Sequence, residues 1–304
     1  MLRVFSAAEV HAALPWPALA LALEAAFVEG AEAPLRHVHA LSAHDTLLLM
    51  PAWSARIVVV KLVTVLPSAA STVQATVLVV DRQTGEPLAV LDGEALTLRR
   101  TAATSALAAQ RLARADAQTL LVVGSGRLAG WMARAHAALR PSLCRIAVWG
   151  RRAEAAQALA RELAGEGLPA EAAGDLEAAT RSARIVCCAT TSTEPLVRGE
   201  WLAPGTHLDL VGGFRRDMRE VDDEAVRRSR VFVDTYAGAL AEAGDLTQPL
   251  ERGVIDRRHI VAELAELLRG QRGGRRSDDE ITLFKSVGTA LEDLAAAQRV
   301  VGAS

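Results

Sequence analysis

The fold is decided by residues 117–152, AQTLLVVGSGRLAGWMARAHAALRPSLCRIAVWGRR. An apolar run at 120–123 ends in a turn of Gly124, Ser125 and Gly126, and a helix-forming segment then leads to a second apolar run at 146–149. This order of strand, turn, helix and strand is typical of the βαβ unit that binds dinucleotides. Glycines let the backbone turn tightly and approach a pyrophosphate, which the N–H groups at the helix start can bind. Ala129 replaces the third glycine of the usual pattern, and an ordinary βα turn is the alternative interpretation.

The end of the second strand bears on which dinucleotide is bound. Enzymes that use NAD usually carry an acidic residue there, about 20 residues after the glycines, for the ribose 2′-hydroxyl. This chain has Gly150, Arg151 and Arg152 instead. Guanidinium groups bind phosphate oxygens bidentately, which favours NADP(H) with its 2′-phosphate. The alternative is NAD(H), with both arginines solvated at the start of the next helix, where Glu154 could pair with one of them.

Length and composition favour two domains of a reduced, cytoplasmic protein. The 304 residues can form one large core or two moderate ones. No run of 18 apolar residues occurs, and the N-terminus lacks a basic region followed by an apolar segment, so we expect neither a membrane span nor a signal peptide. The three cysteines, Cys144, Cys187 and Cys188, are predicted to be reduced core residues.

Charge and histidine spacing exclude two further kinds of site. The formal net charge of −2 gives no electrostatic reason to expect nucleic acid as a partner. The spacing of His37, His39 and His44 matches no metal signature, so no metal is predicted.

The chain changes its pattern at the βαβ unit. Segments rich in Val, Leu and Thr precede that unit and predict a mostly antiparallel sheet, with strands at 47–50, 57–65, 73–80 and 88–91. Strands and helices alternate after it, which predicts a parallel, doubly wound sheet with strands at 170–172, 184–189, 207–211 and 231–233.

Helices and one loop complete the predicted elements. Ser6 and Glu9 form a capping box at the start of a first helix, and residues 96–113 form another. Residues 269–276 are predicted to be an exposed, mobile loop because they are rich in glycine and arginine. Residues 281–297 are predicted to be one amphipathic segment.

Basic residues outside the βαβ unit are candidates for catalysis or binding. Lys61 lies inside the apolar run Ile57–Val65, where burial would lower its pKa and let it exchange protons near neutral pH; an edge lysine that reaches water is the alternative. Arg100 lies near the start of an alanine-rich helix and could bind a carboxylate bidentately, although a structural salt bridge is the rival interpretation. Nothing in the local sequence distinguishes Arg36.

Motifs spread along the chain resemble the ornithine cyclodeaminase/mu-crystallin family, and together they cover almost all of it. They are Met50-Pro51, Lys61-Leu62-Val63-Thr64, Asp81 with Thr84-Gly85 and Pro87-Leu88, Leu96-Thr97 with Arg100-Thr101-Ala102-Ala103-Thr104-Ser105, Gly124-Ser125-Gly126, Ser277-Asp278-Asp279, Phe284-Lys285-Ser286-Val287-Gly288 and Leu291-Glu292-Asp293. Their combination in this order is far more specific than any one of them.

The resemblance implies an α/β fold with a Rossmann-type doubly wound parallel sheet and a second, discontinuous domain. The Rossmann domain would span 116–285 and bind NAD(P). The largely antiparallel α+β domain would span 1–115 and 286–304, bind substrate and form a homodimer. The active site would lie in the cleft between the two domains. Family members interconvert amino acids and imino acids by hydride transfer.

Site residues follow from the resemblance by position. Lys61 matches the family's catalytic lysine, and Arg36 and Arg100 match the arginines that hold the substrate carboxylate; Met50 and Phe214 are further predicted substrate contacts. The ends of parallel strands face the cofactor, which makes the loops after two of them candidates as well. The predicted cofactor contacts are Thr101, Gly124, Ser125, Gly126, Arg127, Leu128, Ala129, Gly150, Arg151, Arg152, Thr190, Thr191, Val211, Gly212 and Gly213.

Departures from the family pattern bear on the reaction. Ornithine cyclodeaminases have an aspartate where this chain has Phe214, and Asp217 lies three residues further on. They also have a glutamate where this chain has Leu48. The loop at 67–71 is shorter than is usual in the family. Without both acids, a second cationic amine on the substrate has no evident partner, and an apolar pocket suits a cyclic imine better.

We therefore predict an enzyme that uses NADP(H) to reduce a cyclic ketimine carboxylate such as Δ1-pyrroline-2-carboxylate. The alternatives are an NAD-dependent ornithine cyclodeaminase, which forms L-proline and ammonia from L-ornithine, and a cofactor-bound binding protein with little turnover.

Overall fold

The computed structural model describes residues 2–69 and 72–302 and divides the chain into two compact units. Unit 1 comprises Met1–Thr104 and Thr289–Ser304, and unit 2 comprises Ser105–Gly288. The α/β class predicted from the sequence is confirmed. The last two residues of the predicted short loop at 67–71 lie outside the described residues, as do residues 1, 303 and 304 of the predicted first domain.

Unit 1 is a six-stranded sheet covered on one face by helices. Its elements are β1 (Arg3–Phe5), α1 (Ala7–Ala13), α2 (Trp16–Glu29), β2 (His37–Ala40), β3 (Thr46–Trp53), β4 (Ile57–Val65), β5 (Val73–Asp81), β6 (Pro87–Asp92), the first half of α3 (Gly93–Leu112) and α11 (Ala290–Val301). The strand order is β1-β6-β5-β4-β3-β2, and only β1 and β6 are parallel. α11 packs on β3 and β4, and α2 packs on α11.

The N-terminal segment forms two helices where one was predicted. The capping box of Ser6 and Glu9 is present at the start of α1. The helix ends at Ala13 because Pro15 has no N–H to donate and restricts the residue before it; α2 then begins at Trp16. Among the described residues no single helix is long and apolar enough to cross a membrane, and α1 and α2 pass that test only together, across a 77° bend.

Unit 2 is an eight-stranded parallel sheet. The remaining elements are β7 (Thr119–Val123), α4 (Arg127–Leu139), β8 (Arg145–Trp149), α5 (Ala153–Gly165), β9 (Ala170–Ala172), α6 (Leu176–Ser182), β10 (Ile185–Cys188), β11 (His207–Leu210), α7 (Asp223–Arg228), β12 (Ser229–Val233), α8 (Tyr236–Glu242), α9 (Gly244–Glu251), β13 (Ile260–Glu263), α10 (Leu264–Leu268) and β14 (Ile281–Lys285). The order is β13-β12-β14-β11-β10-β7-β8-β9. It reverses between β7 and β10, and ligands of such sheets bind beyond the carboxyl ends of the strands at that point.

Two predictions are wrong in detail. Residues 281–297 are not one segment: 281–285 form β14, which is buried between β11 and β12, and a helix starts only at Ala290. The loop at 269–276 is largely exposed, as predicted, and Arg275 within it donates hydrogen bonds to the carbonyls of Leu112 and Gly205. Cys144 is exposed and so is not a core residue, whereas Cys187 and Cys188 are buried as predicted.

Candidate functional site

Lys61 is buried in the middle of the sheet of unit 1. It lies on the face of β4 that α11 covers, and its side chain is 2% exposed. The Nζ atom is 2.8 Å from one carboxylate oxygen of Asp293 and 2.9 Å from the other. It also lies 3.4 Å from the Thr97 hydroxyl, which donates its own proton to the Gly93 carbonyl and so can accept from the ammonium. The edge-lysine interpretation is therefore wrong.

This environment adjusts the pKa of Lys61 in two opposing directions. Burial lowers the pKa, Asp293 raises it, and the guanidinium groups of Arg100 and Arg36 lower it, with a net result of about 8. The ammonium is thus the main form at neutral pH and can release a proton slightly above it. For Asp293, burial raises the pKa, but Lys61 and Arg100 outweigh burial and leave the pKa below its usual value.

Arg100 joins the same cluster from α3. Its guanidinium lies 2.5 Å from a carboxylate oxygen of Glu292 and 3.0 Å from one of Asp293, and all three side chains are nearly inaccessible to water. Arg36 is half-buried, and its charge affects the pKa values of both Lys61 and Asp293. The cluster therefore holds three cationic and two anionic side chains. The rival interpretation of Arg100 as a salt-bridge partner describes its contacts here.

Glu292 and Asp293 were not among the predicted site residues. They are adjacent acids, fully buried in the first turn of α11, and they face Arg100 and Lys61. Two neighbouring acids at the start of a helix that is rich in alanine could have drawn attention to them. The sequence motif alone did not say what they bind.

The predicted substrate contacts belong to different units. Met50 is directly opposite Lys61 in the β3–β4 pairing and is 3% exposed; Leu48 is two residues away on the same face. Phe214 belongs to unit 2 and is 41% exposed in the turn that follows β11. Asp217, in the same turn, is bound to Arg215 at 2.7 Å.

The glycine turn of unit 2 has the local geometry that a pyrophosphate requires. Gly124 has φ of +131°, and a Cβ there would lie 2.6 Å from the Ala189 carbonyl oxygen. Gly126 is the N-cap of α4, which therefore has no side-chain cap, and a Cβ there would meet nothing within 4 Å. The helix start is thus open to an anion, as a dinucleotide site needs. Ala129 is buried, on the inner side of α4.

The end of β8 carries exposed guanidinium groups. A Cβ at Gly150 would lie 2.7 Å from the Ser125 hydroxyl, so this glycine lets the strand end pack against the turn. Arg151 and Arg152 are exposed. No ion pair joins either of them to Glu154 among the described residues.

The loops after β10 and β11 meet at one buried carboxylate. Glu220, which no motif predicted, accepts hydrogen bonds from the backbone N–H groups of Thr190 and Gly212, at 2.7 and 2.8 Å. Of the other predicted cofactor contacts, Arg127 and Leu128 are the first two residues of α4, Thr191 follows β10 and Val211 follows β11. Thr101 lies on the part of α3 that belongs to unit 1.

A second buried polar cluster lies beneath α4. The His136 ring is 2.8 Å from the Asp209 carboxylate, and the Cys187 thiol lies within 4.8 Å of both. These are ligand types that metals use, but the direct contact between His136 and Asp209 is what fixes α4 to β11.

The sequence profile of the ornithine cyclodeaminase/mu-crystallin family matches residues 2–303. The Delta(1)-pyrroline-2-carboxylate reductase of Colwellia psychrerythraea is 36% identical over 99% of this chain and 98% of its own. The enzyme of that name from Thermococcus litoralis, solved with NADH and L-proline, has a TM-score of 0.94 and 35% identity over 99% of this chain and 97% of its own. An archaeal alanine dehydrogenase dimer with bound NAD has a TM-score of 0.93 and 27% identity, covering 99% and 95%.

Proposed function

Because the chain belongs to the ornithine cyclodeaminase/mu-crystallin family, we propose that it reduces a cyclic ketimine carboxylate such as Δ1-pyrroline-2-carboxylate to the amino acid. The observation that carries the proposal is the buried Lys61 ammonium beside Asp293, with Arg100 and Arg36 in the same cluster. The Colwellia and Thermococcus relatives carry the name of this reaction, which supports it.

Lys61 acts as the proton donor. The cofactor, when bound, supplies a hydride to the imine carbon, and the imine nitrogen gains a proton from the Lys61 ammonium. One C=N double bond becomes a C–N single bond, and the lysine is left neutral until water returns the proton. A pKa of about 8 suits this role, because the amine is protonated at neutral pH and still gives up its proton more readily than an ordinary lysine.

The arginines of this cluster bind the substrate carboxylate. Arg36 and Arg100 hold that carboxylate and so orient the adjacent C=N bond. Fixed orientation of this kind is a large part of the catalytic effect in hydride transfer.

Apolar residues favour a cyclic imine over a substrate that carries a second amine. Met50 and Phe214 contact the substrate, and Leu48 stands where a cyclodeaminase has an acid. Asp217, bound to Arg215, leaves a second substrate amine without a counter-ion in this turn. A ring without a second charge fits this composition better than ornithine does.

NADP(H) is the preferred cofactor in this proposal. The exposed Arg151 and Arg152 at the end of β8 support it, since no acid stands there for a ribose 2′-hydroxyl. The fit of the glycine turn applies to NAD(H) equally, and NADH and NAD are the cofactors named for the Thermococcus and archaeal structures. The adenosine 2′-phosphate is thus the group on which the preference depends.

A homodimer through the open face of the unit 1 sheet is also proposed. Leu62 and Leu78 lie on the face opposite α11 and are 41% and 37% exposed, and Val4 on β1 is 72% exposed. An apolar sheet face of this kind is typical of protein interfaces. We place the protein in the cytoplasm because its three cysteines are unpaired thiols.

One paired assay tests the reaction. Purified protein would be given Δ1-pyrroline-2-carboxylate with NADPH, and separately L-ornithine with NAD⁺, and both nicotinamide absorbance and ammonia would be followed. We expect NADPH oxidation without ammonia release. Ammonia from ornithine would replace the proposal with a cyclodeaminase, and cofactor binding without either reaction would favour a binding protein.

A further inference from the structure

The Glu220 carboxylate bridges two loops that leave the parallel sheet of unit 2. Its Oε1 accepts hydrogen bonds from the backbone N–H of Thr190 at 2.7 Å and from the Thr190 hydroxyl at 3.0 Å. Its Oε2 accepts from the N–H groups of Gly212 and Gly213, at 2.8 and 3.3 Å. Thr190 follows β10 and the glycines follow β11, so one side chain joins both loops at the carboxyl edge of the sheet.

Two other buried charges hold Glu220 in place. One carboxylate oxygen of Asp245 accepts hydrogen bonds from the backbone N–H groups of Glu220 and Val221, at 2.7 and 3.2 Å. The other lies 3.0 Å from Nζ of Lys285, which is itself 3.9 Å from Glu220. All three charged side chains are fully buried. A buried charged triad is costly to desolvate and is weak evidence of a purely stabilising role.

There is no room for a side chain at either glycine of the turn after β11. A Cβ at Gly212 would collide with the backbone of Thr190 and with the Glu220 carboxylate. A Cβ at Gly213 would lie 2.8 Å from Asp245 and 3.3 Å from Lys285. The backbone of the turn after β11 therefore lies directly on the charged triad. Its position depends on the Glu220 carboxylate, which accepts hydrogen bonds from the backbone N–H groups of this turn.

We propose that Glu220 is a positioning residue for the nicotinamide half of the cofactor, because its ionised carboxylate fixes the loops after β10 and β11 in one arrangement. The inference rests on the proposed function, in which Thr190, Gly212 and Gly213 contact that half. Glu220 itself is beneath the loops and acts through them. A carboxylate can accept all four hydrogen bonds, whereas a protonated carboxyl or an amide must turn a donor toward one of the loops.

Protonation of Glu220 provides a second way to test this role. Burial raises its pKa, Lys285 lowers it, and Asp245 raises it, which leaves the pKa at about 7. The charged and titratable groups that surround it are Lys285 on β14, Asp245 on α9, Cys187 and Cys188 on β10, and Asp234 after β12. Burial raises the pKa of both thiols well above its usual value, so they stay neutral. As pH falls through 7, the loops lose part of their anchor.

The test compares Glu220→Gln with Glu194→Gln, a neighbouring exposed acid with no place in the site. NADPH and 2′-phospho-ADP-ribose binding would be measured by fluorescence and calorimetry; 2′-phospho-ADP-ribose lacks the nicotinamide. We expect Glu220→Gln to weaken NADPH binding about 10- to 100-fold, as for one or two hydrogen bonds to a charged group, and to leave 2′-phospho-ADP-ribose binding unchanged. The NADPH affinity of the wild type and of Glu194→Gln should fall from pH 8 to pH 6, and that of Glu220→Gln should be flat.

Each other outcome overturns either this inference or the proposed function on which it rests. Equal NADPH affinity in Glu220→Gln and the wild type overturns the positioning role. Equal loss of NADPH and 2′-phospho-ADP-ribose binding overturns it too, because Glu220 would then support the whole unit. A wild type that does not bind NADPH overturns the proposed function and this inference together. A protein that shows the expected binding pattern but reduces no imine overturns the proposed function alone.

Discussion

Replacing Asp293 with asparagine should move the pH at which turnover is lost. Asp293 is 2.8 Å from the Lys61 ammonium and raises its pKa against the effect of burial. Charge centres about 4 Å apart at an effective dielectric constant of about 20 interact by about 4 kcal/mol, or about 3 pK units. Arg100 already compensates part of that charge, so we expect the pKa of Lys61 to fall by about two to three units in Asp293→Asn.

The assay is the pH dependence of kcat for imine reduction. The wild type should lose activity as pH rises through about 8, because the proton donor is lost there. At pH 8 about half of the lysine is protonated in the wild type but about 1% or less in Asp293→Asn, so kcat should be lower by about 50-fold or more. Part of this loss should be recovered near pH 6.

A matched variant separates this effect from damage to the helix. Glu292→Gln removes the other acid of α11, which binds Arg100. Its activity should still decline near pH 8, whatever its KM. Both variants should bind NADPH as the wild type does. A decline that stays near pH 8 in Asp293→Asn would refute the assignment of the proton donor to Lys61.

Three further variants test other parts of the proposal. Lys61→Met should lower turnover by about 10²- to 10⁴-fold, the usual contribution of a proton donor, with NADPH affinity unchanged by fluorescence titration; unchanged turnover would exclude its role. Replacing Arg151 and Arg152 with alanine should raise KM for NADPH about 10- to 100-fold and leave KM for NADH nearly constant, since only the 2′-phosphate loses partners; equal effects on both would contradict the NADP preference. Introducing glutamate at Leu62 or Leu78 should convert a dimer to a monomer in sedimentation, because a charge would be buried in an apolar interface; an unaltered dimer would place the interface elsewhere.

Much of the fold could be predicted because its signals are local. The glycine turn, the flanking apolar runs and the alternation after Arg152 each depend on neighbouring residues, and they gave the parallel sheet. β14 was missed because it is short and covered on both faces, so that its apolar residues also fit a helical face shared with Leu291 and Leu294. Periodicity alone does not distinguish these two cases.

In the candidate site, the sequence alone indicates only those residues that are unusual within their own segment. Lys61 is such a residue, since it interrupts an apolar strand. Its partner Asp293 is 232 residues away and reaches it only through the packing of α11 on the sheet. Glu220 has no local signal at all, because its importance lies in the hydrogen bonds that it accepts from the backbone N–H groups of two separate loops, 8 and 30 residues away in sequence. Long-range polar contacts of this kind depend on tertiary packing.

The late position of β14 and α11 in the chain has a consequence for biosynthesis. Residues 281–285 form the strand between β11 and β12. During synthesis, the sheet of unit 2 therefore lacks this inner strand until residues 281–285 have been translated. Lys61 is made early, yet its counter-ion arrives only with Asp293. Both units therefore stay incomplete until residues 281–301 have been translated. We expect the nascent protein to depend on chaperones during this interval, and release before residue 281 to yield a product for degradation.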